Sequence, residues 1–331
     1  MKPRPVLLAI FDGFGVNPSR AHNAWALART PHLDNYFASY PHTVLQASGR
    51  AVGLPDGQFG NSEVGHLTLG SGRVLEQDLV RIANAIYDGS FEQLPQWQSL
   101  IDGSNRLHLI GLVSDGGVHS HIEHLHGILS LLRNTDIEPV IHMITDGRDT
   151  APDVALAYLD EVEEALAGLG RGRIATVTGR YTAMDRAQNW DRTEQAWQAM
   201  VRGQGLNAAT PREAIEAAYA RGEGDEFIQP TVIAGHAGID ADDAVLFFNF
   251  RSDRVRQLTA ACGLEHFDHF ERNRNTLKKL VCMTEYNATF PLPVLFPTIM
   301  PEQILAEVIS EAGLAQLHCS ETEKFAHVTY F

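Results

Sequence analysis

Short apolar runs that end in Gly- or Asp-containing turns alternate along most of this chain with segments whose apolar residues recur every three or four positions. That alternation of strand and helix predicts an α/β architecture with mostly parallel sheets. Val6–Phe11 reads as a strand that closes on Asp12-Gly13. Thr30-Pro31 places an N-cap residue before a proline at the first helical position and opens a helix to about Ser39. His42–Ala47 reads as a second strand. Periodicity then disappears between Gly49 and Gly72, and a loop of that length in a compact domain is usually functional. From Leu107 the order is regular: strands at Leu107–Val113, Val140–Ile144, Arg173–Thr178, Ala244–Phe250 and Leu280–Thr284, with helices at Ile122–Leu132, Pro152–Leu166, Trp190–Arg202, Thr210–Tyr219 and Asp253–Cys262. A last helix is expected at Pro301–Ala312, then strands near Leu317 and Val328. Ala326–Phe331 reads either as a strand entering a core or as an edge strand that ends the fold.

A length of 331 residues suits about two domains, and a 44% hydrophobic, 20% charged composition can bury a full core. No apolar stretch approaches the roughly 18 residues of a membrane span, and the N-terminal run lacks a small-residue cleavage site. Cys262, Cys282 and Cys319 are scattered without a CxxC pair, which predicts reduced thiols in the cytoplasm instead of a disulfide or zinc framework. A formal net charge of −15 argues against nucleic-acid and anionic-membrane partners, so an anionic ligand needs locally gathered cations. Only four of the 26 basic residues are lysines. Genome composition accounts for such a bias as readily as function does, yet several arginines stand where chemistry would want a bidentate clamp on phosphate or carboxylate.

Five segments could carry chemistry. Asp12-Gly13-Phe14-Gly15 follows a strand; Asp12 could bind a hard cation, or Asp-Gly could be an ordinary turn. In Gly60-Asn61-Ser62-Glu63-Val64-Gly65-His66, Ser62 stands where a helix begins, near free backbone N–H groups and the positive end of the helix dipole. It could carry a phosphoryl group if a base or metal lowers its pKa, and it reads equally as an N-cap serine in a glycine loop. Ser114-Asp115-Gly116-Gly117-Val118-His119-Ser120-His121 opens a run that also includes His124 and His126. Zinc partners at standard spacing are missing, so one ligand-facing histidine, His119, with the others on a helix surface, fits better. Asp146-Gly147-Arg148-Asp149, Gly179-Arg180-Tyr181 with Met184-Asp185-Arg186, and Asn249-Phe250-Arg251-Ser252-Asp253-Arg254 each lie at or near a strand's carboxyl end. Singly these arginines are surface charges; in register they would form a cationic pocket for a small polyanion. The last segment is Glu321-Thr322-Glu323-Lys324, whose lysine by itself reads as solvent-facing.

In order and spacing, GNSEVGH, SDGGVHSH, DGRD, GRY with MDR, NFRSDR and ETEKFAHVTYF resemble the cofactor-independent (2,3-bisphosphoglycerate-independent) phosphoglycerate mutases, from Pro5 to Phe331. The resemblance implies an alkaline-phosphatase-like domain with two manganese ions, in which Asp12 and Ser62 are metal ligands and Ser62 is the nucleophile that becomes phosphoserine. It implies a second α/β domain inserted through hinges near Val74–Asp78 and Leu292–Pro297, giving 1–76, 77–296 and 297–331. His119, Arg148, Asp149, Arg180, Arg186, Arg251 and Arg254 of the insert, with Lys324 outside it, are the implied substrate-binding residues. The implied reaction interconverts 3-phosphoglycerate and 2-phosphoglycerate in a monomer, with domain closure excluding water. Members of the family continue past the HVTYF segment with further aspartate and histidine ligands. The phosphatase domain is therefore expected to be incomplete here, and this chain inactive by itself. A phosphomonoesterase or phosphopentomutase is the rival enzyme, and a non-catalytic phosphoglycerate-binding fragment the alternative of another class.

Overall fold

The computed structural model describes residues 5–272 and 277–329. Two compact units divide the chain, Met1–Glu76 with Pro301–Phe331, and Gln77–Met300. Near-continuous aliphatic runs, buried on both faces, make the strands of the second unit, the pattern that parallel sheets covered by helices require. In chain order its elements are α1 (Asp78–Tyr87), α2 (Pro95–Ile101), β1 (Arg106–Leu112), α3 (Ile122–Leu131), β2 (Glu138–Thr145), α4 (Ala155–Leu169), β3 (Arg173–Gly179), α5 (Trp190–Arg202), β4 (Leu206–Ala208), α6 (Pro211–Ala220), β5 (Thr231–Ile233), β6 (Ala244–Phe247), α7 (Arg256–Gly263), β7 (Lys279–Thr284) and β8 (Val294–Phe296). The sheet order is β4-β5-β3-β2-β1-β6-β7-β8. Every neighbouring pair is parallel except β3 and β5.

One face packs Leu107, Leu109, Ile141 and Met143 against residues of α1, α3, α4 and α6. The other packs Ile110, Leu112 and Ile144 against Trp197 and Met200 of α5 and Leu258 of α7. The sheet grows from β1 outward to β2 and β3, then restarts on β1's other side with β6, so a topological switch lies between β1 and β6. Ligands bind in open α/β sheets beyond the carboxyl ends of strands at such a point.

The sequence pattern predicted β1 to β3 and α5 closely and missed α1, α2, β4, β5 and β8. β4, β5 and β8 have three residues each, too few to show a period. β6 stops at Phe247 instead of Phe250, because Phe247 and Asn249 turn their carbonyls to the buried Tyr286 hydroxyl, at 3.0 and 2.6 Å.

The first unit departs further from expectation. Pro31–Ser39 is helical as predicted, but Thr30 makes no cap hydrogen bond to the backbone; its hydroxyl donates to Asp34 instead. Val6–Phe11 and His42–Ala47, predicted as strands, have no strand partner among the described residues, and Val6 and Leu7 are 94% and 88% exposed. An isolated strand leaves its backbone groups and apolar face to water and is not stable as such. The late helix is confined to Leu305–Glu311, and Leu317 carries no regular structure. Where Ala326–Phe331 is expected as a strand, Phe325–Thr329 is helical after a 3-10 turn at Thr322–Lys324, so its polar groups are satisfied locally. Tyr330 and Phe331 lie outside the described residues. The unit's small core gathers Val52, Leu54 and Val64. Among the described residues no helix is long and apolar enough to cross a membrane.

Candidate active site

Asn61, not Ser62, caps the helix Ser62–Ser71: its side-chain oxygen accepts from Val64 N at 3.0 Å. Ser62 is thereby the first helical residue, with its hydroxyl free to face outward. That hydroxyl donates to Asp12 Oδ2 at 2.7 Å and accepts from Lys324 Nζ at 3.0 Å, while Lys324 also pairs with Asp12. His66 Nδ1 lies 3.3 Å from the same oxygen and 2.7 Å from the Ser62 carbonyl one turn back. Three residues remote in sequence, at 12, 62 and 324, therefore meet at one hydroxyl. Lys324 and Ser62, the two largest influences, hold the Asp12 carboxyl down at about 2, so it is ionised throughout the neutral range.

Asp12 and Ser62 offer two adjacent hard oxygens, the donor type manganese prefers. A cation already sits on both of them in the form of the Lys324 ammonium. The donors thus fit the edge of a divalent-ion site, although no group of three metal-binding side chains occurs among the described residues.

In the second unit, the carboxyl ends of β1, β2, β3 and β6 deliver the other predicted residues. After β2 the chain turns at Gly147, whose φ is +68° and where a Cβ would meet Glu226 N at 2.7 Å, so only glycine fits. Asp146, buried, accepts from Ser114 Oγ at 2.7 Å, from Arg148 N at 3.1 Å, from Asp149 N at 3.0 Å and from Arg180 Nη1 at 2.6 Å. Asp149 is the second carboxylate on Arg180 Nη1, at 2.5 Å. The β1 and β6 loops are tied together by Phe250 N donating to the His119 carbonyl at 2.8 Å. His119 then lies between two carboxylates, 3.8 Å from Asp149 and 3.6 Å from Asp253. Burial, helped by Arg180, lowers its pKa, and the ring is neutral at pH 7.

The expected cationic pocket is more nearly neutralised than the sequence implied. Arg148 pairs with Glu226 at 3.2 Å, Arg180 with Asp146 and Asp149, and Arg186 and Arg251 both with Asp253, at 2.6 and 3.2 Å. Arg254 differs: among the described residues its Nη1 donates only to the Met184 carbonyl, at 3.3 Å, and its pKa is lowered by burial and by Arg186, Arg180 and Arg148. Asp146, Asp253 and Glu226 were not singled out from sequence. The first two stood inside quoted motifs, but nothing local showed that they would face arginines from other strands.

The remaining histidines also differ from expectation. His121 caps α3 by accepting from Glu123 N at 3.2 Å, and His124 is buried with Nε2 3.0 Å from the Leu79 carbonyl, so neither lies on an open helix surface.

A serine hydroxyl is thus held between a carboxylate and an ammonium in one unit, and arginines gather at one sheet edge of the other. Residues 82–288 match the family model described as BPG-independent PGAM N-terminus, and the chain belongs to that family. It is 52% identical over 336 residues to the 2,3-bisphosphoglycerate-independent phosphoglycerate mutase of Symbiobacterium thermophilum, covering 99% of this chain and 65% of that protein. It is 49% identical over 338 residues to the protein of the same name from Moorella thermoacetica, covering 99% and 66%. The chain thus spans just under two thirds of the length of these curated relatives. Among solved structures, a Leishmania mexicana phosphoglycerate mutase at low cobalt concentration superposes with a TM-score of 0.73 at 34% identity, over 92% of this chain and 60% of that one.

Proposed function

We propose that this chain carries the phosphoserine and substrate-binding parts of a 2,3-bisphosphoglycerate-independent phosphoglycerate mutase, which interconverts 3-phosphoglycerate and 2-phosphoglycerate. The observation that carries the reading is the meeting of Asp12, Ser62 and Lys324 at one hydroxyl. In the proposed reaction the bond between phosphorus and the glycerate 3-oxygen breaks as one forms to Ser62 Oγ, and the proton lost by the serine ends on the 3-oxygen. The Ser62 Oγ–phosphorus bond then breaks as one forms to the 2-oxygen of the same glycerate, whose hydroxyl proton returns to the serine. Asp12 Oδ2 is placed to take the serine proton, and Lys324 to balance the charge that grows on Oγ. Asp12 is a weak base when held near 2. Manganese held by Asp12 and Ser62 would supply Lewis-acid stabilisation of the serine oxygen. The helix N-terminus beneath Ser62 adds backbone N–H groups suited to a phosphate.

In the 77–300 unit, Arg148, Arg180, Arg186, Arg251 and Arg254, with His119 and Asp149, would bind the carboxylate and phosphate of the substrate. Incubation of the protein with 3-phosphoglycerate labelled in its phosphoryl group, followed by acid quench and peptide mapping, should place the label on Ser62. Ser62→Ala should abolish both label and turnover; mutase activity within tenfold of the parent would end the phosphoserine reading.

A second reading, binding of phosphoglycerate without turnover, is supported by the position of the five arginines within one unit that has its own sheet and cores. It requires 3-phosphoglycerate to bind without label ever appearing on Ser62.

A further inference from the structure

Two buried or half-buried carboxylates in the pocket look alike in sequence and behave differently in the structure. Asp146 is a strut: two backbone N–H groups, a serine hydroxyl and Arg180 all donate to it. Among the described residues, Asp253 has no backbone donor. Its Oδ2 accepts from Arg186 Nη1 at 2.6 Å; its Oδ1 lies 3.2 Å from Arg251 Nε and 3.6 Å from His119 Nδ1. Both Asp253 Oδ1 and His119 Nδ1 are buried without a hydrogen-bond partner. Every group that faces the Asp253 carboxylate at these distances is therefore a residue expected to hold the ligand, and Oδ1, ion-paired with Arg251, has hydrogen-bonding capacity left over. Arg186 and Arg251, by contrast, are 53% and 52% exposed, long enough and free enough to change partners.

From this geometry we infer that Asp253 is a built-in competing anion, whose carboxylate stands in the ligand-free pocket where an anionic group of the ligand belongs. The inference rests on the reading of this pocket as the phosphoglycerate site and adds the residue that sets its affinity threshold. A ligand that takes Arg186 and Arg251 must part them from Asp253 and then tolerate that carboxylate nearby. A singly charged anion exchanges one carboxylate for another and gains little. A ligand with both a phosphate and a carboxylate can also reach Arg254, which is ion-paired with no carboxylate among the described residues, and so recovers the cost. Weakly charged metabolites are thereby kept out by repulsion instead of by shape.

The test is calorimetric titration of the whole chain with inorganic phosphate and, separately, with 3-phosphoglycerate, for the parent and for Asp253→Asn, Asp253→Ser and Asp253→Glu. Removal of a like charge a few ångströms from the ligand should tighten binding of both anions by roughly tenfold or more in Asp253→Asn, with Asp253→Ser following it and Asp253→Glu staying at or below the parent. A carboxylate that merely braced the loop would give the opposite sign, with both neutral variants losing affinity. Weakened or unchanged binding in the neutral variants overturns the inference while leaving the phosphoglycerate reading intact. Should Asp253→Asn fail to show the parent's thermal transition, Asp253→Ser decides the question alone. A parent that binds phosphate and ignores 3-phosphoglycerate overturns the phosphoglycerate reading, and the phosphate titrations still judge Asp253. If neither the parent nor any variant binds either anion, both ideas fail.

Discussion

Arg254 is the guanidinium of the pocket that reaches no carboxylate among the described residues, and this sets it apart energetically from its neighbours. A cation already matched by a carboxylate gains little when an anion arrives, whereas one held among Arg148, Arg180 and Arg186 gains much. Hydrogen bonds to charged groups are worth about 1.5–3 kcal/mol, so Arg254→Ala should weaken 3-phosphoglycerate binding by roughly ten- to a hundredfold. Arg148, exposed and paired with Glu226, should lose only a few-fold when replaced by alanine. Calorimetry on both variants checks the ranking, and a larger loss at Arg148 would show the pocket to be centred elsewhere. Sequence named both arginines and could not rank them. The rank depends on Asp253 and Glu226, which reach the pocket from different loops. In the same way Ser62, Asp12 and Lys324 were legible as motif residues, while their meeting at one hydroxyl was a product of the fold.

Strands β1 and β2 carry a buried pair of histidines, His108 and His142, whose hydrogen bonds fix their tautomers. Asp243 is ionised, its carboxyl held low despite burial by His108 and the Asp240 backbone, so His108 Nε2 must donate to it across 3.1 Å. His108 Nδ1 then accepts from His142 Nε2 at 2.9 Å, and His142 Nδ1 accepts from the Thr176 hydroxyl at 3.0 Å. His236 stands beside both rings with Nε2 on the Met200 carbonyl, and Arg106 and Arg173 add positive charge nearby. Burial, first, and these like charges push all three histidines below their usual range near 6.5. Unfolded chains therefore take up protons near pH 6.5 that the folded unit refuses. Stability is full above that pH and declines as pH falls through it, by about 1.4 kcal/mol per pH unit for each proton refused. Asp243 acts in the same direction in a lower window, its contribution being lost as pH falls below its ordinary value of 3.8. Denaturant unfolding followed from pH 7.5 to pH 5.5 should show a falling midpoint, and His142→Gln, which keeps a polar side chain without the titration, should flatten the slope by about one proton. An unchanged slope would place the acid sensitivity elsewhere. The strands themselves were plain in the sequence, but a histidine inside an aliphatic run gave no sign of its partner on the next strand.

At the scale of the molecule, the resemblance implies hinges near Val74–Asp78 and Leu292–Pro297, and the structure divides into Met1–Glu76 with Pro301–Phe331 and Gln77–Met300. What was not legible is how far the second unit runs. Pro291, Pro293 and Pro297 mark a linker by composition, yet Val294–Phe296 between them is β8, paired in parallel with β7. Leu295 and Phe296 are 2% and 7% exposed, and the Phe296 ring packs 5.7 Å from Phe91. A strand so short has no period of its own and owes its burial to the edge offered by β7. The first unit shows the converse: Val6–Phe11 carries a strong strand pattern and, with no neighbouring strand among the described residues, stays open to water. Pattern decides what a segment can become, and its partners decide whether it does. A shorter fragment, Leu79–Pro291, omits β8 and the residue Asp78 that pairs with Arg81 at 2.8 Å in the first turn of α1. Burying a Leu or Phe side chain is worth about 1.5–3 kcal/mol, so losing Leu295 and Phe296 should remove roughly 3–6 kcal/mol, a large share of the about 5–15 kcal/mol that holds a domain together. Residues 77–300 should therefore unfold in one cooperative transition in urea, while 79–291 should unfold at a much lower midpoint or fail to fold. Equal midpoints would mean that β8 contributes nothing and that the unit ends at Pro291.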